Sequence, residues 1–192
     1  MKRKLAVVLL ICISCHMGWA AQDFVWKSGQ NMKVVCDTTE APVVKVALDL
    51  LKRDCRSVLS GNISRSENTG NIYVGTWGES SVLQALAETH QLDVALLNEH
   101  KEAFLLNVLP DGRLIVAGSD KRGTAYGVLE LSRMMGVSPW EWWADAIPEK
   151  KEELRLPAGF RKLDYPQVAY RGIFINDEDW GLTPWSWKHY EP

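Results

Sequence analysis

The sequence has little cysteine, little histidine and no excess of positive charge, and each shortage argues against a class of protein. Only four cysteines and four histidines occur in 192 residues, and the formal net charge is −2. So few cysteines cannot form a disulfide scaffold, and the absence of a basic surface argues against nucleic acid as a partner. The histidines are too widely spaced for a local zinc site, and the chain has no Gly-x-Ser-x-Gly elbow of a serine hydrolase.

Long apolar runs are also absent, apart from a short one near the N-terminus. Residues 5–15 are apolar, follow the basic residues 2–4 and precede the small residues around 18–20, as in a secretory signal peptide. The run is about half the length of a transmembrane helix, which argues against a stable membrane span. We predict a signal peptide over residues 1–21 and a secreted or periplasmic protein. A lipoprotein is not favoured, because Cys12 stands where an aliphatic residue is expected.

Removal of the predicted signal peptide would change both the charge and the cysteine count. It takes away three of 22 basic side chains, so 19 basic and 24 acidic side chains remain, a net charge of −5. Cys36 and Cys55 would be the two remaining cysteines. Export permits a disulfide between them, whereas the place of Cys55 on the apolar face of a predicted helix favours two buried thiols. Both alternatives stay open.

Apolar residues alternate between strand and helix periods up to about residue 145. The predicted elements are a strand over 32–37, a helix that begins at Pro42, a strand over 71–76, a helix over 79–90, a hairpin of 103–109 with 113–118, and a helix from residue 119 or 120 to Met135 that Gly136 ends. This order predicts an α/β layer domain over residues 22–145, with a small mixed sheet covered by helices. Residues 146–168 are predicted to be a connector with extended pieces at 154–156 and 160–163, and residues 168–175 to be one more strand.

An acidic run, Asn176-Asp177-Glu178-Asp179, comes directly after that last apolar segment, and Trp180 is next. Consecutive carboxylates repel each other, so a specific demand is expected. Carboxylates with tryptophan suit acid/base chemistry on a sugar, oxygen ligands suit calcium, and acidic residues also suit a helix N-terminus. The local pattern leaves these three alternatives open.

Tryptophan is unevenly distributed: six of the nine tryptophans fall between Trp140 and Trp187. Three of them lie in the segment 138–145, at positions 140, 142 and 143. Neighbouring rings cannot all face one ligand, so we expect this cluster to pack the first domain against the next part of the chain.

Three segments together carry a resemblance to a known family: Gly-Thr-Ala-Tyr-Gly at 123–127, Gly-Val-Ser-Pro-Trp-Glu-Trp-Trp-Ala-Asp at 136–145, and Tyr-Arg-Gly-Ile-Phe-Ile-Asn-Asp-Glu-Asp-Trp-Gly at 170–181. They resemble the start of glycoside hydrolase family 115, the xylan α-glucuronidases, in order along the mature chain. The resemblance implies a secreted glycosidase that removes glucuronic acid or its 4-O-methyl ether from an acidic plant polysaccharide, glucuronoxylan, with inversion. It implies no cofactor and no metal, and a candidate homodimer as the parent enzyme.

The same resemblance implies roles for the acidic run. Residues 170–175 would be the first strand of a catalytic (β/α)8 barrel, and the acidic run would lie at the carboxyl end of that strand, where barrel enzymes place their chemistry. Asp177 is then the candidate catalytic residue, as the base or as the residue that positions water. Asn176, Glu178 and Trp180 are the candidate substrate-binding residues.

The sequence departs from the family in length. A barrel takes about 250 residues, but only 23 residues come after Ala169 in this sequence. Residues 169–192 are therefore predicted to be the start of an otherwise missing barrel, and the chain alone is predicted to be inactive. The alternative is a stand-alone secreted α/β module that binds acidic carbohydrate without cleaving it.

Overall fold

The computed structural model describes residues 20–90, 94–174 and 182–189. Its strands are β1 (Phe24–Lys27), β2 (Asn31–Cys36), β3 (Asn62–Ser66), β4 (Ile72–Thr76), β5 (Phe104–Val108), β6 (Leu114–Gly118), β7 (Glu153–Leu156) and β8 (Arg161–Asp164). Its helices are α1 (Pro42–Leu59), α2 (Ser81–His90), α3 (Ala95–Glu99), α4 (Lys121–Met135), α5 (Glu141–Ala144) and α6 (Leu182–His189). The predicted signal peptide lies almost wholly outside these residues. No helix in the described part is long and apolar enough to cross a membrane.

Six strands form one mixed sheet in the order β3-β2-β4-β6-β5-β8. The first four of these are parallel to one another, and β5 runs antiparallel to both β6 and β8. The predicted α/β fold with a mixed sheet is thereby confirmed. A separate antiparallel pair joins β1 to β7.

The sheet is buried on both faces because helices cover both. All five residues of β4 and of β6 are buried, as expected for central parallel strands. Val44 of α1 and Val128 of α4 belong to the core cluster on one face, and Leu83 of α2 belongs to the cluster on the other.

Local sequence signals account for the two long helices. Pro42 occupies the first turn of α1, where its missing N–H is not needed. Asp120 caps α4 by accepting hydrogen bonds from the backbone N–H groups of Arg122 and Gly123, and Gly136 ends this helix in the left-handed conformation. The predicted end of α4 at Met135 is therefore confirmed, and the helix begins at Lys121, directly after Asp120, the later of the two predicted starts.

The segment predicted as a connector, 146–168, contributes two strands to this fold. β7 pairs with β1, and β8 forms an edge of the six-stranded sheet. The predicted division of the chain into domains stays a prediction. Five further short elements, β1, β3, α3, α5 and α6, were not predicted.

The predicted strand over 168–175 is not confirmed for its described part. Residues 168–174 have no strand assignment, and Tyr170, Ile173 and Phe174 are exposed. A strand exists only where its N–H and C=O groups pair with a neighbour, and nothing pairs with this segment among the described residues. The barrel is likewise not confirmed.

Cys36 and Cys55 are both buried free cysteines, so the disulfide alternative is wrong for this structure. Burial raises the pKa of each thiol to about 11. Cys55 also donates to the backbone oxygen of Lys52 at 3.4 Å, in keeping with its predicted place on the inner face of α1.

Candidate functional site

The residues predicted to carry the chemistry, Asn176, Asp177, Glu178 and Trp180, lie outside the described residues. The structure does describe the segment that leads to them, up to Phe174. It also describes the sheet edge beside that segment. Arg171, five positions before Asn176, and the side chains that hold it are therefore described first.

Arg171 contacts the α/β domain through its guanidinium group. Nη2 forms an ion pair with the Glu102 carboxylate and donates to the Tyr126 hydroxyl at 3.3 Å. Nη1 donates to the backbone oxygen of Val168 at 2.6 Å, which folds the segment back on itself. Hydrogen bonds to Glu102 and Tyr126 hold the pKa of the Arg171 guanidinium above its ordinary value, so it stays charged.

Glu102 lies in the loop before β5 and is fixed there by side chains from the residues between β6 and α4. Its backbone N–H donates to Asp120 Oδ2 at 2.8 Å, and the neighbouring Ala103 N–H donates to Ser119 Oγ at 3.0 Å. Its φ of 57° lies in the left-handed region, which side chains other than glycine adopt rarely. A second cation, Arg122 Nη1, lies 3.0 Å from Glu102 Oε1. The Glu102 carboxylate therefore joins two arginines.

Beside this group, residues 165–170, which come between β8 and Arg171, lie against the loop after α3. The rings of His100 and Tyr165 are stacked, with centroids 3.6 Å apart and planes 6° from parallel. A cavity of about 470 Å³ is lined by this pair and by residues 166–171. Its walls include charged groups, Lys101 and Arg171 among them.

A buried polar network lies at the carboxyl ends of β4 and β6. Glu40 accepts from the Thr76 N–H and from the Thr76 hydroxyl, both at 2.9 Å. The Thr76 and Thr124 hydroxyl oxygens are 3.0 Å apart, and the Thr124 hydroxyl lies within hydrogen-bond distance of the backbone oxygens of Gly75 and Asp120, 3.3 and 3.0 Å away. All three side chains are buried. We interpret the role of this network as structural, because its oxygens have hydrogen-bond partners within the domain. It connects the loops after β2 and β4 to the first turn of α4.

The predicted tryptophan cluster is only partly described. Trp140 is 63% exposed and precedes the short helix α5. Glu141 in this helix accepts from Arg53 of α1 at 2.8 Å, which joins the cluster to the domain. The expectation that the cluster packs the domain against the next part of the chain stays a prediction.

Sequence reasoning missed Glu102, Tyr126 and Arg171. Tyr126 and Arg171 belong to the segments that carry the family resemblance, but no local pattern relates them to Glu102, which is 69 positions away from Arg171. Only the pairing of β5 with β6 and β8 brings these residues together. Within the described part of the chain, no three His, Cys, Asp or Glu side chains are grouped so that they could hold a metal ion.

Comparisons with known proteins show which family and which solved structures this chain is similar to. The family model described as "Glycosyl hydrolase family 115" matches residues 163–192. The solved structure of a family GH115 4-O-methyl-α-glucuronidase with specificity for decorated arabinogalactans is 58% identical, with a TM-score of 0.79 over 88% of this chain. A second structure, CpGH84D, is 16% identical with a TM-score of 0.53 over 76% of this chain, a likeness of fold alone. This chain spans 22% of each of those two proteins. No curated protein matches.

Proposed function

Because this chain is related to glycosyl hydrolase family 115 in both sequence and structure, we propose that it is the N-terminal part of a secreted glycoside hydrolase. The proposed enzyme removes glucuronic acid, or its 4-O-methyl ether, from an acidic plant polysaccharide. The observation that carries the proposal is the 58% identity to a family 115 4-O-methyl-α-glucuronidase over 88% of this chain.

The proposed mechanism is hydrolysis with inversion. A carboxylic acid protonates the leaving oxygen while a carboxylate on the opposite face of the sugar activates water, and the two carboxyl groups are about 6.5–9.5 Å apart. We assign the base or the water-positioning role to Asp177. Asn176 and Glu178 would bind the uronic acid, and the Trp180 ring would stack on the sugar.

Support for this assignment comes from where the family match falls. It begins at Leu163 within β8 and therefore includes Arg171 as well as the whole acidic run. The general acid would come from another strand of the proposed barrel, because active sites of this fold collect residues from several strand ends. We therefore expect the 192-residue chain alone to be inactive.

The substrate class is inferred from the relative and from the family resemblance, which point to different backbones. The relative has specificity for decorated arabinogalactans, whereas the xylan α-glucuronidases act on glucuronoxylan. Both polymers can present a uronic acid on a neutral backbone, and we propose this branch sugar as the group recognised. The choice of backbone is an outcome of the assay with both polymers.

The test is an assay of the complete gene product on 4-O-methylglucuronoxylan and on a glucuronic-acid-decorated arabinogalactan. Released uronic acid is measured for the unmodified enzyme, for Asp177→Asn and for a matched control, Asp179→Asn, in the same acidic run. We expect release from at least one polymer, a loss of about 10³-fold or more for Asp177→Asn, and little change for the control. Release from neither polymer, or equal losses for both variants, would overturn the proposal.

A carbohydrate-binding module without activity is the second candidate, because aromatic side chains are exposed on this chain. Trp140 and Tyr170 are 63% and 97% exposed, and exposed aromatic faces can stack on sugars. Binding of the 192-residue chain to immobilised glucuronoxylan, abolished by Trp180→Ala, would favour the module. Absence of binding would favour the enzyme part.

A further inference from the structure

From the contacts around Arg171, we propose that Glu102 and Tyr126 are positioning residues that clamp this arginine and thereby direct the chain that leads to Asn176 and Asp177. This inference rests on the proposed function for its consequence in catalysis. The clamp itself is defined by four residues: Glu102, Arg122, Tyr126 and Arg171.

The first argument is the number of restraints on one guanidinium group. Arg171 is paired with Glu102 and hydrogen-bonded to Tyr126 and to the Val168 carbonyl. An isolated surface ion pair fixes little, because both side chains remain free to move. Here two acceptors of the domain, Glu102 and Tyr126, hold the same group, a third acceptor lies in its own segment, and the Glu102 side chain is only 16% exposed. Such a group has few alternative positions.

The second argument is that the acceptors belong to rigid parts of the domain. Tyr126 and Arg122 project from α4 four residues apart, which places them on the same side of that helix. Glu102 holds a left-handed backbone conformation that the Asp120 and Ser119 side chains support. Uncommon backbone conformations in residues other than glycine persist where the surroundings enforce them, and they concentrate at functional sites.

The third argument is the contrast with the residues after Arg171. A side chain on Gly172 would meet no atom within 4 Å, and Ile173 and Phe174 are exposed. Arg171 is therefore the last residue before the acidic run whose side chain is held by the domain in the described structure. Asp177 is six residues further on, so its Cα lies within about 20 Å of the Arg171 Cα. The direction of the backbone after Arg171 therefore limits the positions that Asp177 can take.

The clamp can be tested without any assay of activity, by limited trypsin digestion of the 192-residue chain. Trypsin must take the arginine side chain into its own pocket before it cuts the Arg171–Gly172 bond, so a clamped arginine is protected. The rate of this cut is measured by mass spectrometry. We expect Glu102→Gln to raise the rate about five- to tenfold and Tyr126→Phe to raise it about twofold.

The matched control is Glu99→Gln, which neutralises an exposed glutamate three positions before Glu102. It should leave the rate unchanged. Thermal unfolding of each variant shows whether the fold is kept, and Tyr126→Phe removes only one hydroxyl, so it keeps the test informative if Glu102→Gln unfolds. Equal cutting rates in the unmodified chain and in both clamp variants would overturn the inference.

The consequence for catalysis is tested in the complete gene product. Glu102→Gln should lower kcat about tenfold and change KM by less than about twofold. The kcat is calculated from the concentration of enzyme that binds glucuronic acid in calorimetry, so that unfolded molecules are not counted. Glu102→Asp, which keeps the charge, should recover part of the loss. Faster cutting with unchanged kcat would overturn the positioning role. An unmodified enzyme that releases no uronic acid would overturn the proposed function, while the trypsin result still decides whether the clamp exists.

Discussion

Two phenylalanines show how differently this chain treats its apolar residues. Phe24, in β1, is 2% exposed, whereas Phe174, in the segment after the clamp, is 89% exposed. Both stand in short apolar stretches, 24–26 and 173–175, although only the second was predicted to be a strand. Phe24 becomes part of a strand because β7 pairs with its backbone and the core receives its ring. Phe174 has neither kind of partner among the described residues.

An apolar run therefore forms a strand only where a neighbouring strand pairs with its backbone. In the proposed enzyme, that neighbour for residues 170–174 would come from the barrel. The α/β layer, by contrast, obtains its partners from its own elements, even from β7 and β8, which come many residues after the other strands. Substitutions in the two regions should therefore have different effects.

The largest difference is expected when both rings are truncated. Phe24→Ala should lower the free energy of unfolding of the 192-residue chain by about 3–5 kcal/mol, because it removes a buried ring and leaves a cavity. Phe174→Ala should change it by less than about 0.5 kcal/mol. Urea unfolding followed by circular dichroism measures both. Similar losses would mean that the segment after Arg171 is packed as well as the core.

Glycine substitutions give the next largest difference. A Cβ at Gly123 would lie 2.1 Å from the Ala103 carbonyl oxygen, so the first turn of α4 would have to move. Gly123→Ala should therefore destabilise by about 1–3 kcal/mol, although alanine is the better helix former. Gly172→Ala, where the space is open, should be close to neutral in the same urea experiment. A neutral Gly123→Ala would contradict the close approach of α4 to the loop before β5.

A smaller effect is expected where β8 is fastened to α4. Glu130 accepts from Lys162 of β8 at 2.7 Å and from Arg133. Burial opposes ionisation of this carboxyl group, but these hydrogen bonds outweigh it and hold the pKa of Glu130 below its ordinary value of 4.5. Glu130→Gln should cost about 1 kcal/mol at pH 7.

The pH dependence of that cost has a definite sign. Because folding lowers the pKa of Glu130, its contribution is fully present above the ordinary value and is lost as the pH falls through the folded value. The stability difference between the unmodified chain and Glu130→Gln should therefore shrink below about pH 4.5. Glu149→Gln, at an exposed position before β7, is the matched control and should show no such difference at any pH.

The last prediction concerns the two buried cysteines, and it is measured as their reactivity with a thiol reagent. Since burial raises the pKa of Cys36 and Cys55 to about 11, both stay protonated at pH 8 and should not react with a thiol reagent in the folded chain. Both should react once urea unfolds the protein. Rapid labelling of either thiol in the native state would show that the layer opens at that residue.

How far the sequence predicts this molecule depends on the range of the interactions involved. The bounds of α4 were predictable because Asp120 and Gly136 act on neighbouring backbone groups. β3 was missed because its sequence, Asn-Ile-Ser-Arg-Ser, is polar and lies at an edge of the sheet, where pairing with β2 decides its conformation. The clamp was missed for the same reason, since Glu102 meets Arg171 only through the sheet. The acidic run was predictable as a candidate site from its composition, but its geometry depends on residues elsewhere.

The most direct test of the central claim is to sequence the genomic DNA beyond the Pro192 codon and translate it. The account predicts an open frame of several hundred residues whose alternating strands and helices complete a barrel, with carboxylates at later strand ends. A verified stop codon directly after Pro192, with no barrel sequence beyond it, would contradict the claim that this chain is part of a glycosidase.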